Sequence, residues 1–184
     1  MSRLGPWTPT TMEERLDRVE SEAMIRQLPA RYARALDARD LEALVDLFHP
    51  DVQVGRDRFG RTVLRDHFDR LMRFCGVSIH LVGNHVIDFQ DADHATGVVY
   101  CFDELERGDL GEWQKGRIQY WDTYERVAGE WCFVRRKLHR WYIVDATMRP
   151  SVHVGMDREP MPARPLPQSY PTWDAYVSST PPPE

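Results

Sequence analysis

Cysteine is scarce in this chain and long apolar runs are missing, and each of these features excludes a class of function. The three cysteines, Cys75, Cys101 and Cys132, are isolated and form no CxxC pair, so neither a zinc knuckle nor a disulfide framework is expected. A reducing cytoplasm fits this usage. No run of 18 apolar residues occurs, and the first twenty residues contain no apolar signal segment. Neither membrane spanning nor secretion is therefore expected.

Lysine is almost absent, since Lys115 and Lys137 are the only two in 184 residues. The basic residues are interleaved with acids and the net charge is -5, so no basic stripe is available to offset phosphates and no nucleic-acid partner is expected. The chain contains no GxGxxG, P-loop, GxSxG or HExxH motif, and residues 91–93 lack the glycine and glutamate of a calcium loop. The motifs therefore predict no metal.

The length of the chain and the distribution of its prolines divide it into one domain with two appendages. A chain of 184 residues is long enough to form a single sizeable core. Residues 1–10 are predicted as a polar lead, 11–146 as the domain, and 147–184 as an extended tail that holds most of the thirteen prolines. We expect the aromatic residues of this tail to dock on the surface or on a neighbouring subunit. They are Tyr170, Trp173 and Tyr176.

Helical spacing of apolar residues comes first along the domain. It predicts a helix over 11–37 with a break or a fresh start at Pro29, a short helix over 41–48 capped by Asp40, and a third helix over 64–74. After residue 76 the apolar spacing changes to two, which predicts strands. A short strand is expected at 51–54, and four long strands at 78–90, 94–107, 112–127 and 130–145.

This order of elements predicts an α+β fold, in which N-terminal helices pack on a strongly curved antiparallel sheet to make a cone-shaped barrel. Strands of this length run roughly 40–50 Å, so bulges and strong curl are expected. A curled sheet that helices close on one side encloses an interior, and such an interior suits a small molecule.

His80 and Asp37 are the most informative polar residues. His80 lies in the alternating run SIHLVGNHVIDF, and Asp37 ends the helical segment RYARALD. A polar group among core positions needs a partner, because burying it alone costs roughly 1–3 kcal/mol. A carboxylate that accepts the imidazole N–H leaves the other ring nitrogen free as a base. The alternative interpretation is a surface histidine and a helix C-terminal charge.

Other polar residues have two interpretations each. Tyr32 lies about 140° around the helix from Asp37, and is either half-buried with its hydroxyl in water or part of a site. Asp103 interrupts the apolar run GVVYCFDEL. Its carboxyl lies either at the end of a strand or in a cavity. Arg140 lies in KLHRWYIV, and extends along the outer sheet face or holds an anion.

Strand alternation gives expectations for two further histidines. His85 lies five residues from His80, which predicts opposite faces and no shared metal. His139 is predicted to point away from its neighbour Arg140, as a structural or exposed residue.

At five positions and in one longer phrase, the chain resembles the SnoaL-like branch of the nuclear-transport-factor-two-like superfamily. It is most similar to bile-acid 7-alpha-dehydratase, and also resembles lindane dehydrochlorinase and scytalone dehydratase. The phrase GRIQYWDTYERVAGEW is similar to the strand–turn–strand signature of these proteins. The matching positions are Tyr32 and Asp37 in RYARALD, His80 in SIHLVGN, Asp103 in ATGVVYCFD, and Arg140, nine residues after Trp131.

The resemblance implies a cofactor-independent lyase, a dehydratase acting on a hydrophobic hydroxy-ketone such as a steroid or polyketide. His80 would be the general base, Asp37 would fix its tautomer, and Tyr32 would complete the catalytic set. Asp103 and Arg140 would bind polar groups of the substrate. Further pocket aromatics are expected to sandwich its rings, and these are Tyr100, Tyr120, Trp121 and Phe68.

Other functions remain open at this stage. The same histidine and aspartate serve a cyclase or isomerase of polyketide or terpenoid metabolism, and a non-catalytic module for small-molecule binding would keep the cone without the chemistry. A homodimer or homotrimer is expected, because one face of the sheet would otherwise expose a large apolar patch.

Overall fold

Helices come first along the chain and long strands follow, as the change of period predicts. In this computed structural model, residues 7–108 and 110–146 are described. The helices are α1 (Met12–Asp37), α2 (Leu41–Asp46) and α3 (Arg61–Met72). A small hairpin, β1 (Gln53–Val54) and β2 (Arg58–Phe59), separates α2 from α3. The main strands are β3 (Cys75–Phe89), β4 (His94–Arg107), β5 (Glu112–Val127) and β6 (Glu130–Asp145).

Helix α1 is continuous, so the break or fresh start predicted at Pro29 is wrong. Its start is a capping box, in which the Thr11 side chain accepts from the Glu14 backbone and the Glu14 side chain bonds back. Pro29 lies inside the helix and is buried. The missing backbone donor does not end the helix, because Leu28 and Tyr32 on either side of Pro29 are buried in the core and hold that turn against the sheet.

The predictions for the shorter elements are confirmed with small shifts. Asp40 caps α2 by accepting from the Ala43 backbone. The predicted strand at 51–54 is reduced to Gln53–Val54, because it pairs only with the equally short Arg58–Phe59. Helix α3 begins three residues earlier than predicted, directly after Gly60, whose φ of 98° lies in the left-handed region.

The long strands form one antiparallel sheet in the order β3-β4-β5-β6. The predicted α+β class with helices on a curved sheet is confirmed, and the four-stranded sheet stays open, with β3 and β6 at its edges. The predicted bulges are present on the two edge strands. Register shifts occur on β3 at 75–78 and 82–85, and on β6 at 133–135 and 140–142. Such bulges bend a strand and increase its twist.

The bulges decide which residues of the edge strands face the helices. On β3 the concave face carries Ser78 and His80 before the second bulge, and His85 and Phe89 after it. Without the extra residue of that bulge, His85 would face the opposite side of the sheet, as the plain alternation rule predicts. The prediction that His80 and His85 lie on opposite faces is therefore wrong.

The hydrophobic core fills the space between α1, α2 and one end of the concave face. Its buried side chains include Leu28, Leu44, Val99, Tyr124 and Phe133. The chain between α2 and β1 is tied to β6 by two backbone bonds, from His49 to the Phe133 carbonyl and from Phe133 to the Leu47 carbonyl. The core therefore ends near Phe133, and the other end of the concave face is left for the site.

Parts of the predicted lead and the whole predicted tail lie outside the described residues. These parts are 1–6 and 147–184, so the predicted docking of Tyr170, Trp173 and Tyr176 falls outside as well. Between residues 7 and 146, no described helix has the length and apolar character needed to cross a membrane.

Candidate active site

A cavity of about 740 Å³ lies between the concave face of the sheet, α3 and the segment after α2. Its volume falls in the range of about 300–1,000 Å³ that small-molecule sites occupy. Most of its lining is apolar, with Leu36, Leu64 and Met72 from the helices and Ile118 from the sheet. The polar lining comes from the long strands, which contribute His80, Asp103 and Arg140, and from the segment after α2 and helix α3, which contribute His49 and His67.

His80 and Asp37 meet at one side of this cavity. The carboxylate ends α1, α1 packs on β3, and His80 lies on the concave face of that strand. His80 Nδ1 is 2.6 Å from Asp37 Oδ1, and the His80 backbone donates to Asp37 Oδ2 at 2.9 Å. The His80 side chain is 5% exposed. Because Nδ1 is bonded to Asp37, Nε2 is the ring nitrogen left for a ligand, and His80 lines the cavity.

Two further groups hold the Asp37 carboxylate in place. The Ser78 hydroxyl donates to Asp37 Oδ1 at 3.0 Å. Arg39, which has a φ of 61°, donates to the Ser78 oxygen at 2.6 Å and to the Gly76 carbonyl. The unusual backbone of Arg39 turns the chain sharply after α1, so its side chain reaches the start of β3. The imidazole is therefore oriented by a carboxylate that is itself fixed.

Asp103 faces His80 across the sheet. The two residues are register partners on β3 and β4, and Asp103 is in turn the partner of Gly116 on β5. Asp103 is 5% exposed, lines the cavity, and its Oδ1 has no hydrogen-bond partner. Burial raises the pKa of Asp103, while His80 and Arg140 act to lower it. Of the two interpretations of Asp103, the cavity is the one that the structure supports.

Gly116 provides the space that the Asp103 carboxyl occupies. A Cβ atom at position 116 would lie 1.8 Å from Asp103 Oδ1. No such contact is tolerated, so any side chain there would displace the carboxyl. Sequence reasoning missed this role of Gly116, because it depends on a cross-strand register that no local pattern gives.

Arg140 lies on the concave face of β6 and lines the cavity. It is the register partner of Ile118 on β5. Ile118 lies two residues along β5 from Gly116, which is the partner of Asp103. Its charge lowers the pKa of Asp103, so it lies within electrostatic reach of that carboxyl. The interpretation of Arg140 as an arginine on the outer face is wrong.

Tyr32, Tyr120 and Phe68 form an aromatic wall of the cavity. The ring centroids of Tyr32 and Tyr120 are 5.7 Å apart, and those of Tyr32 and Phe68 are 6.1 Å apart, both edge to face. Burial raises the pKa of Tyr32 to about 12 and that of Tyr120 well above its usual value. Both phenols are therefore neutral hydrogen-bond donors near pH 7.

Tyr100 and Trp121, which were predicted to line the pocket, lie on the convex face instead. Their neighbours Cys101 and Tyr120 face inward, so strict alternation turns Tyr100 and Trp121 outward. Trp121 stacks on His139, with ring centroids 4.1 Å apart. His139 is 4% exposed and points away from Arg140, as expected of a structural residue.

Arg136 is the main residue of the cavity that sequence reasoning missed. It lies on the concave face of β6 opposite Asp122, to which it donates from Nε at 2.9 Å and from Nη2 at 2.7 Å. The two side chains are 5% and 0% exposed. Although burial acts to lower the pKa of Arg136, Asp122 raises it above the usual range. An acid among strand aromatics, as in QYWDTY, was the available signal, since such an acid needs a cation.

His85 extends this buried polar group away from the cavity. The Tyr124 hydroxyl donates to Asp122 Oδ2 at 2.8 Å, and His85 Nε2 lies 3.1 Å from the same hydroxyl oxygen. Because Tyr124 gives its only proton to Asp122, the His85 Nε2 carries the proton and donates. Burial lowers the pKa of His85 to about 4, so the ring is neutral near pH 7.

The arrangement combines a base, an acid, a cation and two phenols around one apolar space. His80 Nε2 suits proton removal, and the neutral form of Asp103 suits proton donation. In residues 7–108 and 110–146, no group of three or more histidine, cysteine or carboxylate side chains is placed to hold a metal ion. The chemistry that the His80 and Asp103 side chains support is proton transfer.

Comparisons with known structures match this fold. A protein from Novosphingobium aromaticivorans described as a scytalone dehydratase aligns at 23% identity over 73% of this chain and 93% of its own, with a TM-score of 0.64. The LinA-type3 hexachlorocyclohexane dehydrochlorinase from Novosphingobium barchaimii aligns at 21% identity over 74% and 97%, with a TM-score of 0.65. LinA itself aligns at 22% identity over 75% and 98%, with a TM-score of 0.67.

The family is shown by a second comparison, which is independent of the structure. The model of the SnoaL-like domain matches residues 17–137. This range begins within α1 and ends within β6, and it includes Asp37, His80 and Asp103. The chain therefore belongs to the SnoaL-like domain family.

Proposed function

We propose that this protein is a cofactor-independent lyase that removes water from a hydrophobic β-hydroxy ketone, such as a steroid or polyketide. The observation that carries the proposal is the 2.6 Å contact between His80 Nδ1 and Asp37 Oδ1 at the wall of an apolar cavity. A second ionisable group, Asp103, faces the same imidazole. Ionisable side chains with perturbed pKa values in one cavity are typical of catalytic sites.

The first step is removal of the acidic proton beside the carbonyl. His80 Nε2 accepts this proton, and the electron pair of the broken C–H bond moves toward the carbonyl oxygen. Asp37 stabilises the imidazolium that forms, as an orienting carboxylate does in other histidine bases. Tyr32 donates a hydrogen bond to a substrate oxygen. A positioned base of this kind contributes about 10²–10⁴-fold to the rate.

The second step is loss of the hydroxyl group. Asp103, whose pKa is raised by burial, acts in its neutral form and gives its proton to the departing hydroxyl as the C–O bond breaks, and water leaves. The electron pair returns from the oxygen to form the conjugated double bond. The proton on His80 then passes to the Asp103 carboxylate, which restores both groups. Arg140 steadies the carboxylate form of Asp103 or an acidic group of the substrate.

The structural neighbours support the reaction class. The two named activities among them, scytalone dehydratase and hexachlorocyclohexane dehydrochlorinase, both eliminate a small molecule from an organic substrate. The apolar lining supports a hydrophobic substrate, and Phe68 and Tyr120 are placed to contact its rings. This placement replaces the larger aromatic set that included Tyr100 and Trp121.

The test uses a panel of steroid and polyketide β-hydroxy ketones and follows the absorbance of a new conjugated enone. His80→Ala is expected to lower turnover by at least about 100-fold with little change in melting temperature. His94→Ala is the matched control, because His94 also bonds an aspartate, Asp91, at 2.9 Å but is 51% exposed. It should keep full activity.

Three results would contradict the proposal. Equal turnover by the His80→Ala variant would exclude the histidine base. Tight binding of the ketones without any enone would indicate a binding module. A product with the mass of the substrate would indicate an isomerase or a cyclase.

A further inference from the structure

The Arg136–Asp122 ion pair lies beneath the aromatic wall and has no part in the two steps above. Replacing a buried ion pair with apolar residues is often neutral or stabilising, so such a pair is weak evidence for a stabilising role. Asp122 accounts for only two of the three guanidinium nitrogens. The third, Arg136 Nη1, is buried and has no hydrogen-bond partner among residues 7–108 and 110–146. An unsatisfied buried donor costs free energy, and a purely stabilising role of the pair does not explain that cost.

The guanidinium carbon of Arg136 lies against three aromatic rings. It is 4.1 Å from the ring centroid of Tyr120, 4.2 Å from that of Phe133 and 4.4 Å from that of Tyr32. These distances are well within the range of about 6 Å for cation–π contacts. Tyr32 and Tyr120 also line the cavity, whereas Phe133 belongs to the core. Arg136 lines the cavity as well, so the buried charge acts there directly and through the two phenol rings.

A cation beside a phenol makes the hydroxyl a better hydrogen-bond donor, because it stabilises negative charge on the oxygen. For both tyrosines, burial raises the pKa and Arg136 acts in the opposite direction. Tyr32, Tyr120, Asp103 and His80 all line the one cavity. The two phenols, the acid and the base therefore face the same apolar space.

We propose that Tyr120 and Tyr32 donate hydrogen bonds to the substrate oxygen that becomes negative when His80 removes the proton, and that Arg136 is the positioning residue that holds and polarises both rings. The inference rests on the proposed function, since it concerns the oxygen that gains charge in that reaction. Fixed donors aimed at developing charge in a dry site are often the largest contribution to catalysis. Asp122 has the indirect role of fixing Arg136.

The test uses 2-naphthol as the probe, because its ionised form resembles the enolate and absorbs light differently from the neutral form. The pKa of bound 2-naphthol is measured by absorbance against pH. The main variant is the double change Asp122→Asn with Arg136→Met, which removes both charges and leaves neither one buried alone. We expect the pKa of bound 2-naphthol to rise, because the lost Arg136 charge acts on Tyr32 more strongly than the lost Asp122 charge, which acts in the opposite direction.

Further variants keep the test decisive if the double variant does not fold. Tyr120→Phe removes the donor itself and should raise the pKa of bound 2-naphthol, whereas Arg136→Lys keeps the charge and should change it little. Arg117→Met is the matched control, because Arg117 lies 4.5 Å from the Phe102 ring on the convex face. It should leave the pKa of the bound probe unchanged.

An unchanged pKa of bound 2-naphthol in both the charge-free variant and Tyr120→Phe would overturn the proposal. Failure of 2-naphthol to bind the unaltered protein would overturn it as well. The measurement needs no turnover, so its result is separate from that of the enone assay. A protein that ionises 2-naphthol but makes no enone would support the polarised phenols and contradict the lyase.

Discussion

The two faces of the long sheet depart from the usual distribution of side chains in opposite ways. The concave face buries ionisable groups, among them His80, Asp103 and Arg136, whereas the convex face exposes Leu81 to 65% and Phe102 to 48%. Buried charge costs free energy, and exposed apolar area gains nothing in water. The concave face therefore carries the proposed chemistry, and the convex face is where the expected second copy would bind.

Two histidine–aspartate pairs show the same contrast on a smaller scale. His80–Asp37 and His94–Asp91 have similar Nδ1 to Oδ1 distances, 2.6 and 2.9 Å. The first histidine side chain is 5% exposed and the second is 51% exposed. Geometry alone therefore does not distinguish a site from a surface contact, and burial beside a cavity is what separates them.

The largest effect is expected from Asp37→Asn. An amide keeps the shape of the carboxylate but does not stabilise an imidazolium, so turnover should fall by between about 10² and 10⁴-fold. The measurement is enone formation with the most active ketone. Asp91→Asn, which alters the exposed pair in the same way, should keep full turnover. Equal losses in both variants would remove the distinction between the two pairs.

The next effect concerns the stability of the buried ion pair. Asp122→Asn leaves Arg136 charged and unpaired, which should lower the free energy of unfolding by about 3–5 kcal/mol. Adding Arg136→Met should restore part of that loss. Urea unfolding followed by tryptophan fluorescence measures both. Asp93→Asn is the control, because Asp93 is 56% exposed in its ion pair with Arg126 and should cost less than about 1 kcal/mol.

Gly116→Ala should lower the free energy of unfolding by about 1–3 kcal/mol, the usual cost of overpacking. The new methyl would lie 1.8 Å from Asp103 Oδ1, so turnover should fall as well. Gly83→Ala is the matched control on β3, since its nearest neighbour would be the Tyr100 carbonyl oxygen at 3.5 Å. If Gly116→Ala were as stable and active as Gly83→Ala, the proposed position of Asp103 would be wrong.

A smaller effect is expected from the pH dependence of stability at His85. The pKa is lowered from 6.5 to about 4 in the folded protein, so the unfolded chain binds the extra proton between these values. The free energy of unfolding should therefore fall as pH drops from 6.5 to 4. His85→Gln should flatten this dependence, and His94→Gln should keep it. Both variants are measured in a chain that also carries Asp103→Asn. The raised pKa of Asp103 would otherwise make the free energy of unfolding rise as pH drops, opposite to the effect of His85.

The smallest effect on folding is expected on the convex face. Leu81→Lys should change the free energy of unfolding by less than about 0.5 kcal/mol, because the side chain is largely in water within one chain. If a second copy covers this face, as the expected homo-oligomer requires, the same change should weaken self-association. Light scattering measures the mass. A monomer before and after the change would contradict the expected dimer or trimer.

The sequence predicted the order of elements well, because period and turns are local properties. The bounds of β4, β5 and β6 agree with the predicted strands. Strand alternation is a local rule of the same kind. The same rule turns Tyr100 and Trp121 outward, and their prediction as pocket residues followed the resemblance rather than alternation.

The remaining features depend on contacts that no local pattern contains. His85 changed face because of one extra residue on β3, and Arg136 turned inward after another on β6. A bulge is decided by the pairing of two strands that are distant in sequence. The space at Gly116 and the partner of Asp122 arise from cross-strand register in the same way. For His80 and Asp37, the cost of burying a lone polar group suggested the contact, but the alternative of a surface histidine and a helix C-terminal charge stayed open until the structure placed the two side chains.

The extra residue of β3 between Val82 and His85 divides that strand into two halves. Which side chains face the helices is set separately in each half. Deleting one residue there would leave His80 in place and rotate everything from His85 to Phe89 onto the other side. Such a deletion would exchange the core-facing residues of this half of the strand in a single event, without any substitution. The packing at this end of the sheet could thus change in one evolutionary step while the contact between His80 and Asp37 stayed intact.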